Sequence, residues 1–448
     1  MFPVDVSGQG LRTFHGLDTM HLRFRFNLLL LAALLAVGCQ TLNNDDPEQT
    51  DESWEPEETI EAEDRNPLLL VGIDGFKPSY LDTYEQQLPT LNQLADGGVR
   101  AESLKPVFPT HTFPNLYSIV SGLYPENHGV VANTFYDPDM EETMTLGDDT
   151  THNDPAWFGG EPIWVTAENA GLTAATFFWV GSEAPIGGVR PTHYVSYDSS
   201  IPHRQRTDQV VEWLTDEDDP VDFATLYFAS PDGAGHQYGT DSRDLAETLE
   251  RVDSQIQRLI AGLNDGGLWP DVNILLVSDH GMTDLSDDKV IFLDDIIDMS
   301  DVWVVDWSPV AMIRPDQGKF SEVYEQLKQA EEDHNFSVYR RDELPERYRL
   351  ADNDRVAPIV VIADKPYSLT SHGYYQDRGL LTGGHGFDPK YEQMHGFFIG
   401  IGPDLPDRHR TDTLKAVDLY SLMSFLLAVA PADNDGSFER IGSEIFAD

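Results

Sequence analysis

Asp232-Gly-Ala-Gly-His236, Ser278-Asp279-His280-Gly281-Met282 and Gly383-Gly384-His385-Gly386 are three clusters of Asp and His framed by glycine, and Asp74 ends an early apolar run. Together they supply enough ligands for two metal ions. Mixed carboxylate and imidazole ligands suit zinc, and manganese or another divalent ion fits the same ligand types. Between Asp74 and the rest lies Phe108-Pro-Thr-His-Thr112-Phe-Pro-Asn115, a Thr-rich turn able to set a hydroxyl against such metals. Threonine alone is a weak nucleophile, and contact with a divalent ion favours its alkoxide. Pro114 suits the first turn of a helix, whose N-terminus adds a field favourable to phosphate. The combination points to hydrolysis at phosphorus. Each piece also has a plainer use. An N-cap is the commoner role of a threonine at this spacing, for Thr110 or Thr112, and an isolated Ser-Asp-His-Gly reads equally as a surface turn. The small residues between Asp232 and His236 read as a loop that cannot pack a core, which favours ligation or close backbone approach. Gly281 permits a turn that aims Asp279 and His280 into one cavity.

Groups this far apart in the chain need a scaffold to gather them. Pro67-Leu-Leu-Leu-Val-Gly-Ile-Asp74 is a continuous apolar run ending in a carboxylate, the pattern of a strand covered on both faces. Thr173 to Trp179, Asp222 to Ala229, Val272 to Ser278, Ile359 to Ala363 and Phe397 to Ile401 read as further short buried strands. Leu245 to Leu263 and Lys415 to Leu427 read as amphipathic helices between them. The fold class is α/β, with a largely parallel central sheet flanked by helices. Ligand crevices in such sheets lie beyond the carboxyl ends of the strands, where Asp74, Asp232 and Asp279 fall.

Composition bounds the partners. The chain has 448 residues and 40% hydrophobic content, enough for a substantial core. Its 29 Lys and Arg stand against 78 Asp and Glu, a formal charge of -49. No binding of nucleic-acid polymers is expected from such a surface. A small anion can still enter where metal ions reverse the local field. Residues 1–39 read as an export signal, with Arg23 and Arg25 before the apolar run Leu28 to Val37, too short to span a bilayer. Met20 is a candidate start. Leu35-Ala-Val-Gly38-Cys39 resembles a bacterial lipoprotein signal, which would make Cys39 the lipid anchor to a membrane, periplasm-facing or at the surface. Gln40 after it favours the outer membrane if the source is Gram-negative. The alternative is an ordinary signal peptide with an incidental cysteine. Residues 40–64 are acidic and nearly free of apolar side chains, a disordered tether by composition. Residues 65–448 are left as one catalytic domain.

A resemblance adds to this reading. Thr112-Phe-Pro-Asn, Ser121-Gly-Leu-Tyr-Pro-Glu-Asn-His-Gly129 and Asn133, then Glu161-Pro-Ile-Trp-Val-Thr-Ala, Thr176-Phe-Phe-Trp179, Pro231 to His236, Ser278 to Met282 and Gly384-His385-Gly386, resemble the nucleotide pyrophosphatase/phosphodiesterase family of the alkaline phosphatase superfamily. They occur in the family's order over about residues 67 to 400. The resemblance implies an alkaline-phosphatase-like fold and two zinc ions. One would be held by Asp232, His236 and His385, the other by Asp74, Asp279, His280 and the Thr112 hydroxyl. It further implies attack by Thr112, a phosphothreonine that water hydrolyses, and donation from Asn133 and the Thr112 amide to a phosphoryl oxygen. Phe113 and Tyr197 match a pair of rings that sandwich a nucleotide base, so a nucleotide diester or pyrophosphate is the expected small-molecule substrate. A phosphomonoesterase, a choline-type headgroup phosphodiesterase and a non-catalytic binding lipoprotein are the alternatives. Leu116 stands where many relatives have histidine, which bears on local packing alone.

Overall fold

The run Leu68–Ile73 is buried at all six positions and forms β1, the middle of an eight-stranded sheet. In chain order the other strands of that sheet are β2 (Val99–Ala101), β3 (Ala174–Phe177), β4 (His193–Val195), β5 (Phe223–Phe228) and β6 (Asn273–Val277). Four strands of a second sheet intervene, and β11 (Phe398–Ile401) and β12 (His409–Thr411) complete the first. Its spatial order is β12-β2-β11-β6-β1-β5-β3-β4. Strands β6, β1, β5, β3 and β4 are parallel, and β11 runs antiparallel to both its neighbours. The largely parallel α/β architecture is therefore as expected. The structure is a computed structural model that describes Ile60, residues 64–145 and residues 151–446. The export signal, Cys39 and most of the 40–64 segment lie outside the described residues. Ile60 packs half-buried against the core.

Helices cover the sheet. Helix α1 (Thr112–Ser121) is buried along its whole length, and α2 (Ser230–Tyr238) follows β5 after a single residue. Helix α3 (Arg243–Asp265) buries Leu245, Leu249, Val252, Ile256, Leu259 and Leu263. That spacing of three and four residues places one apolar stripe on the core. Ser242 caps it, accepting the Leu245 amide. The expected helix from Lys415 begins only at Leu419 and runs to Leu426, because residues 416 to 418 form a tight 3₁₀ turn. No helix among the described residues is long and apolar enough to cross a membrane.

Ile359 to Ala363 is a strand, but in a different sheet from the one β1 centres. Strands β7 (Val302–Asp306), β8 (Val310–Pro315), β9 (Phe336–Arg340) and β10 (Ile359–Ala363) form an antiparallel sheet in the order β7-β8-β10-β9. It has its own buried cluster, which includes Ile313, Leu327 and Val361. A buried apolar run looks the same in either setting, so only pairing partners distinguish them.

Candidate active site

Adjacent strands β1, β5 and β6 end side by side, and each delivers a carboxylate at its carboxyl end. Asp74 follows β1, with its amide donating to the Phe228 carbonyl at 3.0 Å. Gly75 then takes φ of +67°, and a Cβ there would lie 2.9 Å from the Asp232 Cα. Glycine alone permits both the turn and the approach. Asp232 lies in the first turn of α2 and His236 one turn later, on one helix face. The expected loop is thus a helix. Its small residues serve packing, since Met282 Cε would come within 3.1 Å of a Cβ at Gly235. Asp279 and His280 follow β6. Gly281 is needed here for a reason other than the one its position suggests. Its φ is not in the left-handed region, but any Cβ would collide with the Gln393 carbonyl oxygen.

Thr112 is the first residue of α1, and the N-cap is His111. Neither Thr110 nor Thr112 caps the helix. Thr110 instead donates its hydroxyl to the Phe387 carbonyl and accepts the Gly386 amide, both at 2.9 Å, which pins the His385 loop. The Thr112 hydroxyl donates to His280 Nε2 at 3.2 Å.

Three imidazoles share one arrangement. His236 Nδ1 meets the Gly383 carbonyl at 2.8 Å, His280 Nδ1 the Gly281 carbonyl at 2.9 Å, and His385 Nδ1 the Thr110 carbonyl at 2.8 Å. A carbonyl only accepts, so each Nδ1 carries a hydrogen, and each ring in its neutral form turns a bare Nε2 inward. Two of these lone pairs, on His236 and His385, face each other at 3.1 Å. Asp232 Oδ1 is 3.4 Å from the first and 3.6 Å from the second. Around His280 Nε2 stand Asp279 Oδ2 at 3.1 Å and Asp74 Oδ1 at 3.4 Å. Asp74 Oδ1, Asp232 Oδ1 and Asp279 Oδ2 are all buried without a hydrogen-bond donor.

Acceptors crowded against acceptors are a costly arrangement without a cation. Burial, then the charges of Asp279 and Asp232, raise the Asp74 carboxyl well above the usual range. Burial likewise raises Asp279. Burial, then His280 and His236, hold His385 well below the ordinary histidine value. Divalent ions would satisfy every one of these groups and reverse the electrostatics. Two ligand triads fit: Asp232 with His236 and His385, and Asp74 with Asp232 and His280. Asp232 is within reach of both. The residues present therefore fit the expected metal chemistry.

Two cavities open on the cluster. The larger, of about 420 Å³, is lined by Asp74, Thr112 and Asp232 and by Phe113, Tyr197 and Trp179. Both rings expected to hold a base are on its wall. Phe113 is buried, and Tyr197 is 39% exposed with its amide held by Glu183 Oε1 at 2.8 Å. Leu116 also lines this cavity, so it does more than local packing. Asn133 lies elsewhere, on the wall of a second cavity of about 270 Å³ that also includes His236 and His385. Its Oδ1 accepts the Phe113 amide at 2.9 Å, one residue beyond the amide expected beside it.

Tyr227 and Arg206 carried no signal in the sequence. The Tyr227 hydroxyl donates to Asp74 Oδ2. Arg206 donates to the carbonyls of Ile201 and Tyr227 and lies 4.7 Å from the Phe178 ring, bracing the segment that carries Tyr197. Tyr227 sits in an all-buried strand, where it looks like any core aromatic.

Residues 68–388 match the family described as type I phosphodiesterase / nucleotide pyrophosphatase. Human bis(5'-adenosyl)-triphosphatase is 37% identical over 374 residues, 83% of this chain and 80% of that protein. Human ectonucleotide pyrophosphatase/phosphodiesterase family member 5 is 34% identical over 378 residues, 84% of this chain and 78% of that protein. A solved structure of the murine form of the latter, an inactive threonine-to-alanine variant in complex with AMP, has a TM-score of 0.79 at 34% identity. That likeness covers 85% of this chain and 100% of the other. The chain belongs to the type I phosphodiesterase/nucleotide pyrophosphatase family of hydrolases, in the alkaline phosphatase superfamily.

Proposed function

We propose that this chain is a two-metal nucleotide phosphodiesterase and pyrophosphatase that works through a phosphothreonine at Thr112 and releases a nucleoside monophosphate. The observation that carries the reading is the Thr112 hydroxyl, at a helix N-terminus, in contact with His280 Nε2 inside a ring of donorless carboxylates. Asp232, His236 and His385 would hold one divalent ion, and Asp74, Asp279, His280 and Thr112 Oγ1 the other, zinc being the ion these ligands suit best. When bound, such ions supply charge stabilisation for the phosphoryl oxygens and favour ionisation of the hydroxyl.

The chain's own groups do the rest. Thr112 Oγ1 attacks phosphorus as the bond to the leaving oxygen breaks, and water later hydrolyses the phosphothreonine ester. The Thr112 amide, at the first helical position where the helix itself offers no acceptor, and the Asn133 side-chain amide donate to a phosphoryl oxygen. Such a donor contributes roughly 3 kcal/mol at oxyanion sites. Phe113 and Tyr197 flank the base in the larger cavity; the AMP bound by the murine relative supports a nucleotide there. The same reading takes the enzyme to be exported and lipid-anchored through Cys39 to a bacterial membrane, facing the periplasm or the surface.

Thr112→Ala tests the nucleophile. Zinc-supplied variant protein should retain fold and bound metal, read by circular dichroism and elemental analysis. Its turnover of an aryl thymidylate diester should fall by about a thousandfold or more. Undiminished hydrolysis refutes the assignment.

A further inference from the structure

Asn133 sits in a bend between Gly129 and the strand Thr134–Asp137, which pairs with Glu142–Thr145 in a two-stranded hairpin. A hairpin of that size is marginally stable by itself, so the segment needs a hold from elsewhere. The Asn133 Oδ1 is committed to the Phe113 amide. Its amide nitrogen, at the other corner of the same planar group, is the end that donates to a substrate. A planar group pivots with its backbone. An error of about 1 Å in the segment therefore passes straight to the donor.

Arg355 supplies that hold from a turn just before β10. Its Nε donates to Asp137 Oδ2 at 2.7 Å, and its Nη1 to the Gly129 carbonyl at 2.9 Å and the Trp157 carbonyl at 2.7 Å. Nη2 donates to the Ala156 carbonyl at 2.8 Å. Gly129 and Asp137 are the two ends of the stretch with Asn133 at its centre. Gly129 has φ of +80°, and a Cβ there would stand 2.6 Å from Arg355 Nη1, so the approach requires glycine. The Arg355 turn is anchored in its own right. Asn353 Oδ1 accepts the Arg355 amide, and Asn353 Nδ2 donates to the Glu126 carbonyl, both at 3.1 Å. Arg314 of β8 adds a second tie, its Nη2 donating to the Tyr136 carbonyl at 3.2 Å and the Arg355 carbonyl at 3.1 Å. The antiparallel sheet carries none of the Asp/His cluster, yet through these two arginines it grips the segment 129–137.

We propose that Arg355 is a positioning residue for the reaction: by fixing both ends of the segment 129–137 it aims the Asn133 side-chain amide at the phosphoryl oxygen. The inference rests on the reading of Asn133 as a phosphoryl donor. Arg355 lines neither of the two cavities that open on the cluster, so it acts through Asn133 and not on substrate. A planar fork fixes four directions at once, whereas an ammonium at the same place is a single point. Losing the fork therefore weakens the donor where charge develops, and leaves the base to Phe113 and Tyr197.

The experiment is a double-mutant cycle on zinc-loaded protein, with kcat and KM for an aryl thymidylate diester measured in wild type, Arg355→Lys, Asn133→Ala and the double variant. Asn133→Ala is expected to lower kcat about a hundredfold. Arg355→Lys should lower kcat about tenfold with KM within about twofold of wild type. Made in the Asn133→Ala background, the same lysine substitution should cost less than about twofold, because the group it positions is gone. A purely structural fault lowers the active fraction by one factor in both backgrounds. Asp137→Asn cuts a single contact of the same clip and goes through the same cycle, so a failure of Arg355→Lys to fold leaves the test intact. An equal loss in both backgrounds, no loss at all, or a change confined to KM overturns the positioning role while the Asn133 donor stands. Asn133→Ala with wild-type kcat removes the donor and this inference together, and leaves the nucleophile to Thr112→Ala.

Discussion

Tyr227 shows how a single side chain sets the character of the Asp/His cluster. Its hydroxyl holds Asp74 Oδ2, leaving Oδ1 as the atom turned toward His280. Burial, followed by the Asp74 charge, raises the phenol well above its usual range, so it remains a donor. Groups that orient a metal ligand in this way typically change affinity by about 10- to 100-fold when removed. Tyr227→Phe keeps the ring and deletes the donor. Competition against a chelator should show zinc affinity about tenfold weaker, with unchanged thermal stability of the fold in excess zinc. Affinity equal to wild type would mean that Asp74 needs no such support. The three histidines follow the same logic through their backbone carbonyls, which no sequence pattern reports because carbonyls belong to every residue.

At the level of elements, the active site is a junction of strand ends and one helix N-terminus, and a separate clamp holds the loop that follows His385. Arg347 reaches Asp388 with two nitrogens, at 2.8 and 2.6 Å, and the Tyr348 hydroxyl adds a third contact at 3.0 Å. Burial raises the Asp388 carboxyl, but the Arg347 fork and the Lys390 amide outweigh it, so the net shift is downward. A carboxyl depressed in the fold stabilises it above the unfolded value, near 3.9, and that contribution is lost as pH falls through the folded value. Arg347→Ala removes the two-nitrogen fork and leaves the buried Asp388 charge to the Tyr348 hydroxyl, the Lys390 amide and the exposed Lys390 ammonium at 3.5 Å. Since the arginine side chain is half exposed, the cost is about 2 kcal/mol at pH 7 rather than that of a fully buried pair. It should shrink as pH falls below about 4, where the unfolded chain takes up the proton first, and vanish only below the depressed folded value, where Asp388 is protonated in both states. Urea unfolding of both proteins at pH 7 and pH 3.5 checks this; an equal penalty at the two values contradicts it.

Over the whole molecule, the formal charge of -49 contrasts with a site built to receive an anion. Positive ions at the Asp/His cluster would reconcile the two, acting at short range while salt screens the surface. The same scale holds the question of address. Lipid attachment at Cys39 predicts that Cys39→Ser moves the protein from the membrane pellet to the soluble fraction, read by labelled-palmitate incorporation and fractionation. An unaltered pellet fraction with no label in wild type removes the anchor.

Residue order alone pointed to the largely parallel core and to the Asp, His and Thr groups that lie together at the strand ends. Apolar runs ending in Asp74 and Asp279 read as covered strands with a carboxylate at the edge, and Thr112-Phe-Pro-Asn reads as the opening of a helix. Local physics suffices for these because each signal lies within one element. Tertiary structure decided what depends on neighbours. It made a helix of the glycine-rich stretch from Asp232 to His236, because Met282 presses on Gly235 and rewards a missing side chain. It placed Ile359 to Ala363 in the antiparallel sheet, moved Asn133 onto the Phe113 amide and opened a second cavity behind the histidines. Each of these is set by which distant surface a residue meets, and a chain read one element at a time holds no record of that meeting.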